Sequence, residues 1–120
     1  MDNGDWRETW EQHADQERGA LGEAPVSELV ERVRAGQFGG YYSIWYALAD
    51  RAQLNEVGWV LFSVLESEAG YLDRYHCAAA LLQLLGERRL QAVDLSAEWG
   101  RAKNLRPVEK ILEQRIGARK

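Results

Sequence analysis

Residues 71–86, YLDRYHCAAALLQLLG, constrain this chain more than any other stretch. At about 100° per residue, Tyr71, Leu72, Tyr75, Ala78, Ala79, Leu82 and Leu85 form one wide apolar face, and Cys77, Leu81 and Leu84 carry it round the side. Only Asp73, Arg74, His76 and Gln83 remain as a polar strip. A helix wetted along so narrow a strip must be covered from two or more sides, which places it at the expected centre of the fold. Three consecutive alanines admit close neighbours and favour the helix, and Gly86 supplies a stop.

The neighbours such a helix needs are readable along the chain. Pro25 suits a first helical turn, and Val26, Leu29, Val30 and Val33 follow at i, i+3, i+4 and i+7, predicting a surface helix of about ten residues that ends at Gly36. Gly39 and Gly40 then break the chain before residues 41–52, where Tyr41, Ile44, Trp45 and Leu48 share one face. Tyr42 and Tyr46 turn to another side. Aromatic stripes at helical spacing are usually core, but four aromatics in six residues exceed what one small core buries, so Tyr42 and Tyr46 are read as partner-binding. Asn55 is the expected N-cap of a helix over residues 56–66, with Val57, Val60, Leu61, Val64 and Leu65 apolar and Trp59 and Phe62 widening the face. Its β-branched content would also suit a buried strand, but no segment of like character offers to pair with it. Beyond Gly86, Leu90, Val93 and Ala97 predict a helix over residues 88–102, residues 104–107 read as a turn, and Val108, Ile111, Leu112 and Ile116 predict a last helix over residues 108–116.

A chain of 120 residues, 46% hydrophobic and 28% charged, is one domain with enough apolar material for a core. Residues 25–117 are expected to form a single all-helical domain, residues 1–24 a charged N-terminal arm or short helix, and residues 118–120 a tail. In the arm, Trp6, Trp10, His13 and Glu17 share one face of a helix running from residue 5 to about residue 18. The two indoles dock either on the domain's own core or on a second chain. The lone Cys77 cannot form an internal disulfide, and its apolar setting reads as a buried thiol in a reducing cytosol. No charged-then-apolar leader opens the chain, and its longest apolar runs, such as residues 57–65, are too short to span a bilayer, so a cytoplasmic protein without membrane contact is expected.

Charge is distributed unevenly: residues 1–35 carry a net −5, residues 36–86 −3 and residues 87–120 +4. Either the opposed ends complement each other within a soluble fold, or the basic end meets an acidic partner. Nucleic acid is disfavoured, because the nine C-terminal bases are interspersed with five acids and the whole chain is acidic.

Arg74, Cys77, Ala78, Ala80, Leu81 and Leu84 are similar to the pattern on the second helix of a HEAT-like repeat: an arginine, small residues three, four and six places on, then leucine and an aliphatic residue. Residues 39–66 fit a pair of helices of suitable length without the motif, and Glu68 stands where that family has an aspartate. The resemblance implies an all-α stack of antiparallel helix pairs, HEAT-like or a related helical bundle, used as a protein-binding surface.

No phosphate loop, nucleophile elbow, dinucleotide fingerprint or zinc-ligand spacing occurs. Asp73 and His76, at i and i+3, are the best acid–base candidates, with Cys77 adjacent but pointing about 100° away. His13 and His76 are the only histidines, and neither has a liganding set around it. No catalytic, cofactor or metal residue is therefore assigned. The expected function is a non-catalytic protein–protein interaction module of adaptor or scaffold type, with self-association left open. The alternatives are an immunity-type neutralising partner protein and a small enzyme using Asp73 and His76. A concave pocket converging on His76 would favour the enzyme, and a broad exposed aromatic or acidic face would favour binding.

Overall fold

A computed structural model of the chain describes residues 3–119, with side chains from Trp6 onward. Among the described residues lie seven helices and no strand: α1 (Asn3–Glu23), α2 (Val26–Arg34), α3 (Ser43–Arg51), α4 (Leu54–Glu66), α5 (Tyr71–Leu85), α6 (Ala92–Ser96) and α7 (Arg101–Ile116). The all-α expectation is met. Helix α5 packs on α3, α4 and α6, and α4 packs in turn on α2 and α7, so α4 and α5 share the centre. Trp45, Leu61, Leu65, Leu81, Leu95 and Leu112 meet there, fully buried. Each such side chain contributes about 1.5–3 kcal/mol through burial.

Helix α5 runs over the expected residues and stops at Gly86, but its buried face is rotated from the anticipated one. Arg74, Cys77, Ala78, Ala80, Leu81, Leu82 and Leu85 are buried, whereas Tyr71 and Leu72 are exposed and Ala79 is only half-buried. The wheel ranked positions by polarity, while burial follows where α3, α4 and α6 lie. Arg74 thus leaves the supposed polar strip with 1% of its surface exposed. Its long apolar stem tolerates this, but only Nη2 finds an acceptor, Glu98 Oε1 at 3.4 Å. Nε and Nη1 are buried without a hydrogen-bond partner.

Other boundaries moved for local reasons. Helix α1 reaches Glu23 rather than residue 18, because Ala14 and Leu21 extend its packing stripe. Helix α4 starts two residues earlier than Asn55 implied: Gln53 is its N-cap, with the backbone N–H of Gln53 donating to Glu56 Oε1 at 2.8 Å. The helix expected over residues 88–102 shrinks to α6. There Leu95 is buried while Val93 and Trp99 are exposed, and the Ser96 hydroxyl bonds back to the carbonyls of Ala92 and Val93 as the helix ends. Residues 104–107 are not a turn but the second turn of α7, which begins after Gly100. Arg101 Nη1 donates to the carbonyls of Glu66 (3.1 Å) and Ser67 (2.9 Å), and Asn104 Nδ2 to that of Asp94 (3.0 Å), so tertiary contacts hold this segment helical. Pro107 sits inside α7 on its exposed side, where it removes one backbone hydrogen bond without breaking the rod.

Two glycines are required by close approach. A Cβ on Gly58 would lie 2.9 Å from Ile116 Cδ1 and 3.0 Å from Leu112 Cδ2, so its absence lets α7 lie against α4. Gly39 has φ +81°, and a Cβ there would overlap the Glu17 carboxylate, whose Oε1 accepts the Gly40 N–H at 2.9 Å. That bond fixes the turn leading into α3 against α1. Among the described residues, no helix is long and apolar enough to cross a membrane.

Candidate functional site

The turn after Gly40 delivers Tyr42 with φ +63° and ψ 9°, the only non-glycine residue at positive φ among the described residues. A left-handed backbone at a bulky aromatic costs on the order of 1–3 kcal/mol and persists only where surroundings hold it. Here the holder is His76 on α5: the Tyr42 ring stacks on the imidazole with centroids 4.7 Å apart and planes 21° from parallel. Tyr46 approaches the same imidazole edge-on at 5.5 Å, with its hydroxyl 2.5 Å from Nδ1. Tyr75 presents an edge at 5.4 Å, and Tyr71 lies 6.4 Å beyond Tyr75. His76 is therefore the hub of a tyrosine cluster built from α3 and α5.

Burial, with a smaller contribution from Tyr75, pushes the Tyr46 hydroxyl above its ordinary pKa of 10. It keeps its proton at neutral pH, and it shares with Nδ1 a hydrogen bond whose direction follows the imidazole tautomer. Tyr46 nevertheless remains 41% exposed. Next to this cluster, Tyr41 takes the edge of Trp10 at 5.4 Å and lies 6.4 Å from His13, so aromatic surface continues from α5 to α1.

The acid–base candidates of the sequence do not assemble. The Asp73 carboxylate accepts from Trp45 Nε1 at 3.2 Å, fixing the buried indole, while His76 Nδ1 faces Tyr46. No hydrogen bond joins Asp73 to His76 among the described residues. Cys77 is fully buried, as expected, and its Sγ donates to the Leu61 carbonyl at 3.3 Å. Burial, and secondarily the Asp73 charge, raise its pKa well above the ordinary 9, which keeps the sulfur protonated and poorly nucleophilic. Among the described residues no group of three or more His, Cys, Asp or Glu is placed to hold a metal ion.

Two surface concavities of about 700 and 690 Å³ open elsewhere. The first is lined by charges of both signs, including Glu66, Glu98, Arg101 and Arg106; the second is more apolar, lying between α2, α4 and the C-terminal segment. Neither includes His76. Tyr42 and Tyr46 do share a surface, but not as neighbours along one helix, since Tyr42 precedes α3. Tyr71 and Tyr75 belong to the apolar face expected to be covered, yet Tyr71 is exposed and Tyr75 half-buried. Their i, i+4 spacing beside His76 was the available signal, and it indicates an aromatic strip without saying whether that strip is covered.

No protein-family model, curated protein or solved structure matches this chain.

Proposed function

We propose that this chain is a non-catalytic protein-interaction module, a small bundle of antiparallel helix pairs related to HEAT-like stacks, whose contact surface is centred on Tyr42 and Tyr46. The observation that carries the reading is the strained backbone of Tyr42 holding its ring flat on His76, beside an exposed Tyr46 pinned to the same imidazole. Strain of this kind tends to mark surfaces whose geometry matters, and rigid tyrosines give contact area with little rotamer entropy to lose. The separation of Asp73 from His76 and the burial of Cys77 weigh against the enzyme alternative.

The test compares proteins captured from the native host by the immobilised wild type with those captured by Tyr42→Gly/Tyr46→Ala. Glycine relieves the strain at position 42, so the variant is expected to melt within a few degrees of wild type. Binding of the captured protein should weaken at least tenfold, as for truncation of aromatic hot spots worth about 2 kcal/mol. Equal affinity for both would overturn the assignment of this surface, and turnover of any small molecule that depends on His76 would overturn the non-catalytic reading.

A further inference from the structure

The tyrosine surface ends on a charge that the chain does not neutralise. Asp73 meets Trp45, His76 meets Tyr46 and Gln83 meets Asp50, so α3 and α5 run in the same direction and share a seam along these residues. Asp50 stands one helical turn beyond Tyr46 on α3, and both are exposed. Its Oδ1 accepts from Gln83 Nε2 at 3.2 Å, a neutral donor, and among the described residues no ion pair involves it. Its position adds to the imbalance. Asp50 is the penultimate residue of α3, where a helix presents its carbonyls and an acid is disfavoured. Asp73, half-buried on the same seam, carries the same sign and bonds to an indole.

The neighbouring bases are engaged elsewhere. Arg51, the one base of α3, donates to the carbonyls of Leu21 (2.9 Å) and Ala24 (2.7 Å). Arg74, the one arginine of α5, is buried and reaches Glu98. Beyond the end of α5, Arg89 pairs with Glu87 at 3.2 Å, and Arg115 takes the Leu85 carbonyl at 2.6 Å.

A partner that covers Tyr46 also covers Asp50, because side chains four residues apart on a helix lie about 5–6 Å from each other. An apolar cover would strip water from an unpaired carboxylate, which opposes binding, and an acidic one would add repulsion. A guanidinium satisfies both groups at once: it lies over a tyrosine ring within about 6 Å of the centroid while its N–H fork reaches a carboxylate at about 2.8 Å. The ammonium of lysine is a point charge without that planar fork.

We propose that the seam of α3 and α5 receives an arginine side chain from a basic segment of a protein partner, the guanidinium lying on the Tyr46 ring and paired with Asp50. The proposal rests on the reading of Tyr42 and Tyr46 as a contact surface, and adds what the partner carries.

An NMR titration of the isotope-labelled full chain tests it, using a capped alanine pentapeptide with one central arginine and the same peptide with lysine or uncharged citrulline in its place. The arginine peptide should shift the signals of Tyr46, Asp50 and His76 with a dissociation constant of roughly 1–10 mM, as suits a single side chain. The citrulline peptide should bind at least about fivefold more weakly and the lysine peptide at least about twofold. Asp50→Asn keeps an acceptor for Gln83 and removes only the charge, so it should melt like wild type and bind the arginine peptide at least about threefold more weakly. Glu113→Gln, which removes an exposed acid on α7, should bind it as wild type does. No shifts at the seam, shifts confined to the acids of α1, equal affinity for the lysine or citrulline peptide, or an Asp50→Asn variant that binds like wild type would overturn the assignment of arginine. The surface reading falls separately, when the captured protein binds Tyr42→Gly/Tyr46→Ala as tightly as wild type.

Discussion

Helices α5 and α1 fail the simple rule of polar outside and apolar inside in opposite directions: α5 buries a guanidinium, and α1 leaves two indoles in water. The cause is the same in both. Helix α5 is flanked by α3, α4 and α6, so even Arg74 on its first turns is enclosed. Helix α1, 21 residues and about 31 Å long, rests mainly on α3, which is less than half its length. Exposure is set by where the neighbours stop, and residue type only decides what that exposure or burial costs.

The largest effect that would break this contrast is a charge in α5. Leu81→Asp or Ala78→Asp should unfold the domain, since either places an unpaired carboxylate at a fully buried site, a cost of about 4 kcal/mol or more. Ala79→Asp, on the half-buried side, should lose about 1–3 kcal/mol and remain folded. Equal damage at positions 78 and 79 in thermal melts would mean that the face is oriented otherwise.

Cys77 probes the same enclosure chemically. Labelling by a water-soluble thiol reagent should be at least about a thousandfold slower in the native state than in denaturant, because access requires unfolding. The native pKa is raised, so the folded chain keeps this proton above pH 9, where the unfolded chain releases it. The thiol's contribution to stability is therefore complete below its unfolded pKa and declines as pH rises beyond it. Between about pH 8 and about pH 10 the urea midpoint should fall more steeply for wild type than for Cys77→Ala. Parallel slopes would contradict the shift.

Arg74→Met sharpens the comparison in the opposite sense. It keeps the apolar stem, removes two buried donors that have no partner, and strands no buried acid, because Glu98 is exposed. An increase in stability of about 1–2 kcal/mol is expected in denaturant titrations, with Glu98→Gln within about 0.5 kcal/mol of wild type. A marked loss in Arg74→Met would mean that the guanidinium holds the α5 and α6 region together. The smallest effect belongs to α1. Trp6→Ala, measured at dilution, should change stability by less than about 0.5 kcal/mol, and a larger loss would show that the body covers this indole after all.

Much of the architecture was legible. The i, i+3, i+4 and i+7 spacing located α2, the Ile44, Trp45 and Leu48 face of α3 is buried as read, and α5 begins and ends where expected. On α5, Arg74, Cys77, Ala78, Ala80 and Leu81 are buried and Leu84 is half-buried, whereas Tyr71, Leu72 and Ala79 of the polarity wheel's apolar face are not. The wheel erred because an arginine stem and small alanines pack as well as larger apolar groups once neighbours enclose them. From residue 88 onward the pattern misled. Leu90, Val93 and Ala97 suggest one periodic face, but the chain is helical only over α6, where Leu95 is buried and Val93 exposed, and Pro107 suggests a boundary only while the contacts of Arg101 and Asn104 that hold α7 are left out.

The sequence by itself determined that this chain is helical, that its core gathers around residues 71–85, and that Cys77 is enclosed, since periodicity and composition act over single turns and need no partner to be read. Only the tertiary structure decided that Tyr42 and Tyr46 meet at His76, that Asp73 serves Trp45 instead of the imidazole, and that the covering of α1 stops short of Trp6. These depend on which helix lies beside which and on where each one ends. Contacts between residues some thirty places apart set both, and no local pattern in the chain records them.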